Sequence, residues 1–221
     1  MRVKICGLCR PGDARLAAES GAHYCGVILA PGGPRSQTVA RAAEIFASTG
    51  SVERVGVFVN ASVDDVVAAA GALRLSVLQL HGSEPPSLVE TLRGAGSWRV
   101  WKALRPRSGE EFAAGLERYA PVADGILVDG WSGSVAGGAG VAFEWSAVAR
   151  YRDRIPSGTE WIIAGGLTAG NVAGAIAVLG PDTVDVSSGV ESDRGVKAEA
   201  KVRAFIEVAR TAASQEARGS A

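Results

Sequence analysis

The chain has 221 residues, and its 23 Lys and Arg are matched by 23 Asp and Glu, which excludes the broad basic field that holds nucleic acid or an anionic membrane. Apolar residues make up 47% and charged residues 21%, a globular composition, and no apolar run approaches the roughly 20 residues that span a bilayer. Three cysteines do not make a secreted disulfide framework, and the N-terminus enters strand-like Val3-Lys4-Ile5 with no signal-peptide core, so a cytoplasmic protein with a small-molecule partner is expected.

Short β-branched runs then alternate with longer Ala-rich segments whose apolar positions recur at helical spacing. Arg2 to Cys6 reads as the first strand and Pro11 to Glu19 as the helix after it. Tyr24 to Leu29 is followed by Val39 to Ala47, and Arg54 to Val59, apolar on both faces, by Val63 to Leu73. Ser62 ahead of Asp64 and Asp65 marks that third helix start, and Pro85-Pro86 marks the fourth. Val77 to Leu80 precedes Pro85 to Arg93, Arg99 to Ala103 precedes Gly109 to Tyr119, and Gly125 to Val128 precedes Phe143 to Arg152. Trp161 to Ala164 leads to Asn171 to Leu179, and Thr183 to Val186 to a last helix from Lys197 to Ala212.

Eight such units without a linker favour a single-domain (β/α)8 TIM barrel over residues 1–213, and 214–221, which lack a periodic apolar face, are expected to be a disordered tail. In such a barrel the C-terminal ends of the strands converge on one face. Cys6 arrives from the first strand, His81 from the fourth, Asp129 from the sixth and Asp185 from the eighth, with Arg35 in the loop after the second.

Cys6 reads either as a reactive thiol or as a small buried hydrophobe. Paired with Asp129 it makes a general base and a general acid, since a thiolate accepts a proton from carbon and a carboxylic acid gives one to an ether oxygen. Taken alone, Asp129 before Gly130 equally suits a turn, and His81 is a substrate-side or a pocket-structuring residue. Arg35 suits bidentate pairing with a carboxylate. Gly165-Gly166 and Ser187-Ser188-Gly189, in the seventh and eighth loops, read as a phosphate cradle in which glycine lets the ligand approach the backbone, with Gly138 as a further contact.

Lys4-Ile5-Cys6-Gly7-Leu8, Pro34-Arg35, Gly56-Val57-Phe58-Val59-Asn60, Gln79-Leu80-His81-Gly82, Val128-Asp129, Phe143-Glu144-Trp145, Ala164-Gly165-Gly166-Leu167 and Asp185-Val186-Ser187-Ser188-Gly189-Val190-Glu191 together resemble the phosphoribosylanthranilate isomerase family. The resemblance spans nearly the whole chain. It implies an Amadori rearrangement in tryptophan biosynthesis without cofactor or metal, by a monomer or homodimer. Under it, Asp129 protonates the furanose ring oxygen, Cys6 takes the C2′ proton, Arg35 faces the anthranilate carboxylate, Asp185 and His81 lie near the substrate, and the last two loops hold phosphate.

Three positions depart from the family's pattern: Gly33 replaces a common Ser, Ala139-Gly140-Val141 replaces a more polar stretch, and Cys9 replaces a hydroxyl residue. Cys9 also creates Cys6-Gly7-Leu8-Cys9, the spacing of a redox pair or half a zinc site, although no second such pair exists. Other phosphate-binding barrels, such as an indole-glycerol-phosphate synthase or a pentose-phosphate epimerase, and a non-catalytic sugar-phosphate binding protein are the rival readings.

Overall fold

Runs apolar on both faces need cover on both sides, and the chain supplies it by closing a parallel sheet on itself inside a ring of helices. The computed structural model describes residues 1–130 and 145–219. Its strands are β1 (Arg2–Ile5), β2 (Tyr24–Ile28), β3 (Glu53–Phe58), β4 (Val77–Leu80), β5 (Arg99–Leu104), β6 (Gly125–Asp129), β7 (Glu160–Ala164) and β8 (Thr183–Val186), and they pair in sequence order as a closed barrel. Closure is made by β1, where Ile5 stands opposite Cys25 on one side and Val186 on the other. The helices are α1 (Pro11–Glu19), α2 (Val39–Phe46), α3 (Val63–Leu73), α4 (Pro86–Gly94), α5 (Gly109–Tyr119), α6 (Trp145–Ala149), α7 (Val172–Leu179) and α8 (Glu199–Gly219). Among the described residues no helix is long and apolar enough to cross a membrane.

Local chemistry sets the helix starts. The side chains of Thr38, Ser62 and Ser108 accept from the amides of Arg41, Asp65 and Glu111, satisfying donors that a first turn leaves free. Outward-facing strand residues such as Val3, Ile5, Cys25, Ile126 and Val184 pack with the helices in one core. The inward face forms three layers. Tyr24, Val55, Val77, Trp101, Leu127 and Ile162 fill the middle. Beneath them, at the N-terminal ends of the strands, Glu160 accepts from Tyr24, Thr183 and Arg99, and Arg99 also pairs with Glu53. The layer above carries the polar residues at the strand ends.

Two elements differ from the sequence reading. Lys197 does not open the last helix: it lies in β10 (Val196–Lys197), paired antiparallel with β9 (Glu191–Asp193) across a turn where Gly195 has φ +81°. The buried Lys197 ammonium is drawn to Glu191, and α8 starts two residues later. At its far end α8 continues to Gly219, into the segment expected to be a tail, because Ala, Gln, Glu and Arg favour helix even without an apolar face. The sixth helix covers only Trp145–Ala149, with a tight 3₁₀ turn at Arg152–Arg154, and its expected start at Phe143 lies outside the described residues.

Candidate active site

A cavity of about 320 Å³ opens at the C-terminal ends of the strands. It is lined by Cys6 and Arg35 on one side, by Gln79, His81 and Asp129 on another, and by Asp185, Gly165, Gly166 and the Ser187-Ser188-Gly189 turn around the rest. Alternation explains the convergence. Lys4 and Cys6, Gln79 and His81, Leu127 and Asp129, and Asp185 and Ser187 are each two residues apart on one strand or its extension, so each pair shares the inward face. Every candidate residue within the described chain thus meets in one cavity, and Gly138 lies outside the described residues.

Cys6 is 7% exposed, with its amide bonded to the Val186 carbonyl at 2.8 Å. Burial pushes the thiol up, and the neighbouring Lys4 ammonium opposes that. Lys4 is fully buried and donates to Asp185 Oδ2 at 2.8 Å. Burial alone would push Lys4 down, but the attractions of Asp185 and Cys6 together hold it above its ordinary value. Gly26 makes room for both groups: a Cβ there would sit 3.0 Å from Cys6 Sγ and 3.0 Å from Lys4 Cε.

Across the cavity, Gln79 Nε2 lies 2.9 Å from His81 Nδ1, and His81 Nε2 lies 3.0 Å from Asp129 Oδ2. Since the Gln79 amide nitrogen donates, the assigned network puts the imidazole proton on Nε2 and aims it at Asp129. His81 therefore bears on Asp129 directly.

Arg35 is held sideways. Its Nε and Nη2 donate to the two carboxylate oxygens of Glu191 at 2.7 and 2.6 Å, and Lys197 donates to the same carboxylate at 3.0 Å. Burial would raise Glu191, but the hydrogen bonds from Arg35 and Lys197 win and push it down to about 2. Gly7, at φ +67°, admits this arrangement, because a Cβ there would meet Arg35 Cδ and Ser187 Oγ, both at 2.7 Å.

The glycines of the proposed cradle divide into two kinds. A side chain at Gly165 would run into the Gly130 backbone, and one at Gly189 into the Leu167 carbonyl, so these two are demanded by the protein's own packing as well as suiting the approach of a ligand. Among the described residues Gly166 has nothing within 4 Å of its Cβ position. Gln79 Oε1, Asp185 Oδ1 and Ser187 Oγ are buried without a hydrogen-bond partner among the described residues, and all three belong to residues lining the cavity. Unpaired buried polar atoms are costly, and their concentration here marks a place built to receive a polar molecule.

A barrel cavity with a thiol, a carboxylate, a clamped guanidinium and glycine turns is compared most directly with families that share all of them. Residues 3–208 match the family model described as N-(5'phosphoribosyl)anthranilate (PRA) isomerase. The chain belongs to that family. It is 42% identical to the N-(5'-phosphoribosyl)anthranilate isomerase of Pseudomonas paraeruginosa over 221 residues, covering 98% of this chain and 99% of that one. It is 44% identical to the Azotobacter vinelandii isomerase over 213 residues, covering 96% and 98%. Among solved structures, the Thermotoga maritima phosphoribosyl anthranilate isomerase superimposes with a TM-score of 0.86 at 34% identity, covering 96% of this chain and 99% of that one. A phosphoribosyl anthranilate isomerase structure in complex with reduced 1-(o-carboxyphenylamino)-1-deoxyribulose 5-phosphate gives 0.83 at 32% identity with the same coverage.

Lys4, Gln79 and Glu191 entered the sequence reading only as parts of motifs and Lys197 only as the start of a helix, none of them as a site residue. The signal for Lys4 was a lysine two residues before Cys6, between apolar Val3 and Ile5. For Gln79 it was the same spacing before His81. Cys9 lies apart from the Cys6 surroundings: its thiol faces the Gly7 carbonyl at 3.5 Å and the Arg35 carbonyl at 3.9 Å, and both cysteines are free.

Proposed function

We propose that the strand-end cavity carries out the isomerase reaction of the family with Asp129 as general acid and Cys6 as general base. The observation that carries this reading is that a thiol and a carboxylate, from strands far apart in sequence, line one cavity between a clamped Arg35 and the glycine turns after β7 and β8.

Asp129, in its acid form, gives its proton to the furanose ring oxygen of N-(5-phosphoribosyl)anthranilate. The C1′–O bond breaks as the anthranilate nitrogen lone pair forms the C1′=N bond of a Schiff base. The Cys6 thiolate then takes the C2′ proton, and the released electron pair forms C1′=C2′ while the C=N pair returns to nitrogen. The resulting enolamine gains a proton at C1′ and loses one from the C2′ hydroxyl, giving the 1-deoxyribulose ketone. One proton enters and one leaves on each side of the sequence, so no redox partner is required. General acid and base contributions of this kind are each worth about 10² to 10⁴ in rate.

Arg35 pairs the anthranilate carboxylate through the guanidinium edge that Glu191 leaves open. His81 donates to Asp129 and holds its carboxyl toward the sugar ring. Asp185 stands near the reacting sugar, and Ser187 and the backbone amides of Gly165, Gly166, Ser188 and Gly189 receive the phosphate. The barrel, whose last helix runs to Gly219, is the catalytic domain. It works in the cytoplasm on a small molecule, with no nucleic acid or membrane as partner, as a monomer or a homodimer. The test is the loss of phosphoribosylanthranilate fluorescence on adding the purified protein: the reading expects catalytic decay to the ketose product, and inertness would overturn it.

A further inference from the structure

Three lysines are buried in this protein, and they are not equivalent. Lys102 donates to the Leu80 and Gly82 carbonyls and to Glu84, using the full donor capacity of an ammonium. Lys197 donates to the Ser187 carbonyl and to Glu191. Lys4, 0% exposed, has among the described residues one hydrogen bond to an oxygen, Asp185 Oδ2, and otherwise only the Cys6 thiol as partner, and the other Asp185 oxygen is buried with no partner among them. A bridge whose role was only structural would have both ends satisfied, because a half-satisfied buried ion pair costs stability.

What stands beside the under-used ammonium is the Cys6 thiol. Lys4 and Cys6 share the inward face of β1 two residues apart. Both press on the bare Cα of Gly26, where a Cβ would lie 3.0 Å from Cys6 Sγ and 3.2 Å from Lys4 Nζ. The groups acting on the thiol are Lys4 from its own strand, Asp185 from β8, Lys197 from β10 and Arg35 from the loop after β2, with the neutral Cys25 thiol on β2. Lys197 and Arg35 are both committed to Glu191. Lys4 is the cation left to answer a charge on sulfur.

We propose that Lys4 is a positioning residue for the reaction: clamped by Asp185 against the thiol, its ammonium is the fixed counter-ion that lets buried Cys6 ionise and act as a thiolate. This rests on the reading of Cys6 as the general base. The ionisation moves one proton from sulfur to water at the cavity mouth, and the electron pair stays on sulfur opposite the ammonium. Asp185 has the opposite influence on sulfur, so the pair balances the thiol between inert and ionised.

The test titrates Cys6 directly, as the ultraviolet thiolate absorbance of each variant minus that of the same variant carrying Cys6→Ala. Lys4→Met is expected to move the Cys6 midpoint up by about one pH unit or more, and the acid limb of kcat/KM with it, so that about tenfold of activity lost at neutral pH returns on raising the pH. Lys4→Arg keeps the cation and is expected to stay within about threefold of the parent. Asp185→Asn is expected to move the midpoint down. Should Lys4→Met fail to fold with Asp185 unpaired, the double variant Lys4→Met/Asp185→Asn leaves no buried charge, and its Cys6 midpoint is expected to lie between those of the parent and of a thiol without any cation. A midpoint and acid limb unmoved in Lys4→Met, or equal in Asp185→Asn and in the double variant, would overturn the proposal while leaving Cys6 as the base if Cys6→Ala is inactive. Full activity in Cys6→Ala would instead remove the base reading itself, whatever the thiol titration shows.

Discussion

Replacing Glu191 by Gln removes the carboxylate that fixes Arg35 and neutralises Lys197, while keeping the side chain's shape. The magnitude follows from the carboxyl's depression from 4.5 to about 2 in the fold. That difference is worth about 3 kcal/mol of native stability when the group is ionised, and the side chain is only 6% exposed, so solvent screens little of it. A depressed carboxyl stabilises the fold above its unfolded value, and the contribution is lost as pH falls toward the folded value. The gap between parent and Glu191→Gln is therefore expected to be about 3 kcal/mol at pH 7, about 1.4 kcal/mol at pH 3 and about 0.4 kcal/mol at pH 2, and to vanish below that. In a chain of this size about 3 kcal/mol corresponds to roughly 6 to 12 °C in Tm. Urea unfolding of the two proteins across this pH range measures the gap. A freed Arg35 is also expected to raise KM for the anthranilate substrate about tenfold, with a smaller change in kcat. A stability gap that is absent at pH 7, or constant from pH 7 down to pH 3, would refute the account of the Arg35–Glu191–Lys197 cluster.

Asp129→Asn is expected to lower kcat by about 10² to 10⁴ while the far-ultraviolet circular dichroism and Tm stay near the parent's, and near-normal turnover would remove it as the acid. Gly26→Ala places a methyl 3.0 Å from both Cys6 Sγ and Lys4 Cε, and should lower kcat by about tenfold at a stability cost of about 1 to 3 kcal/mol, read by activity and thermal melts. Gly165→Ala and Gly189→Ala should destabilise strongly because each collides with backbone, whereas Gly166→Ala costs about 1 kcal/mol for its φ of +67° and shows mainly as a raised KM; equal melting temperatures for all three would contradict the division.

The barrel was legible because its signals are local: β-branched runs of strand length, Ala-rich helical spacing, and caps such as Ser62 and Ser108 that work within one turn. The convergence of Cys6, His81, Asp129 and Asp185 was legible too, since alternation and the barrel rule together place strand ends on one face. What stayed hidden depends on contacts between residues distant in sequence. Lys197 reads as the start of a helical run, and what makes it a strand residue is its pairing with β9 across the Gly195 turn together with its ion pair to Glu191. Lys4 looks like any lysine at a strand end until β1 closes on β8 and brings Asp185, 181 positions away, to its ammonium. The glycines of the seventh and eighth loops were found as a group, but which of them serve packing and which leave open space depends on where Gly130 and Leu167 pass, and a glycine's sequence neighbours do not report that.

The central claim is that a thiol and a carboxylate in this cavity perform the isomerisation, and turnover of phosphoribosylanthranilate by the parent and by Cys6→Ala tests it most directly. The account predicts rapid loss of substrate fluorescence with formation of the ketose by the parent, and a kcat lowered by about 10² or more in a folded Cys6→Ala. Equal turnover by the two proteins would contradict it.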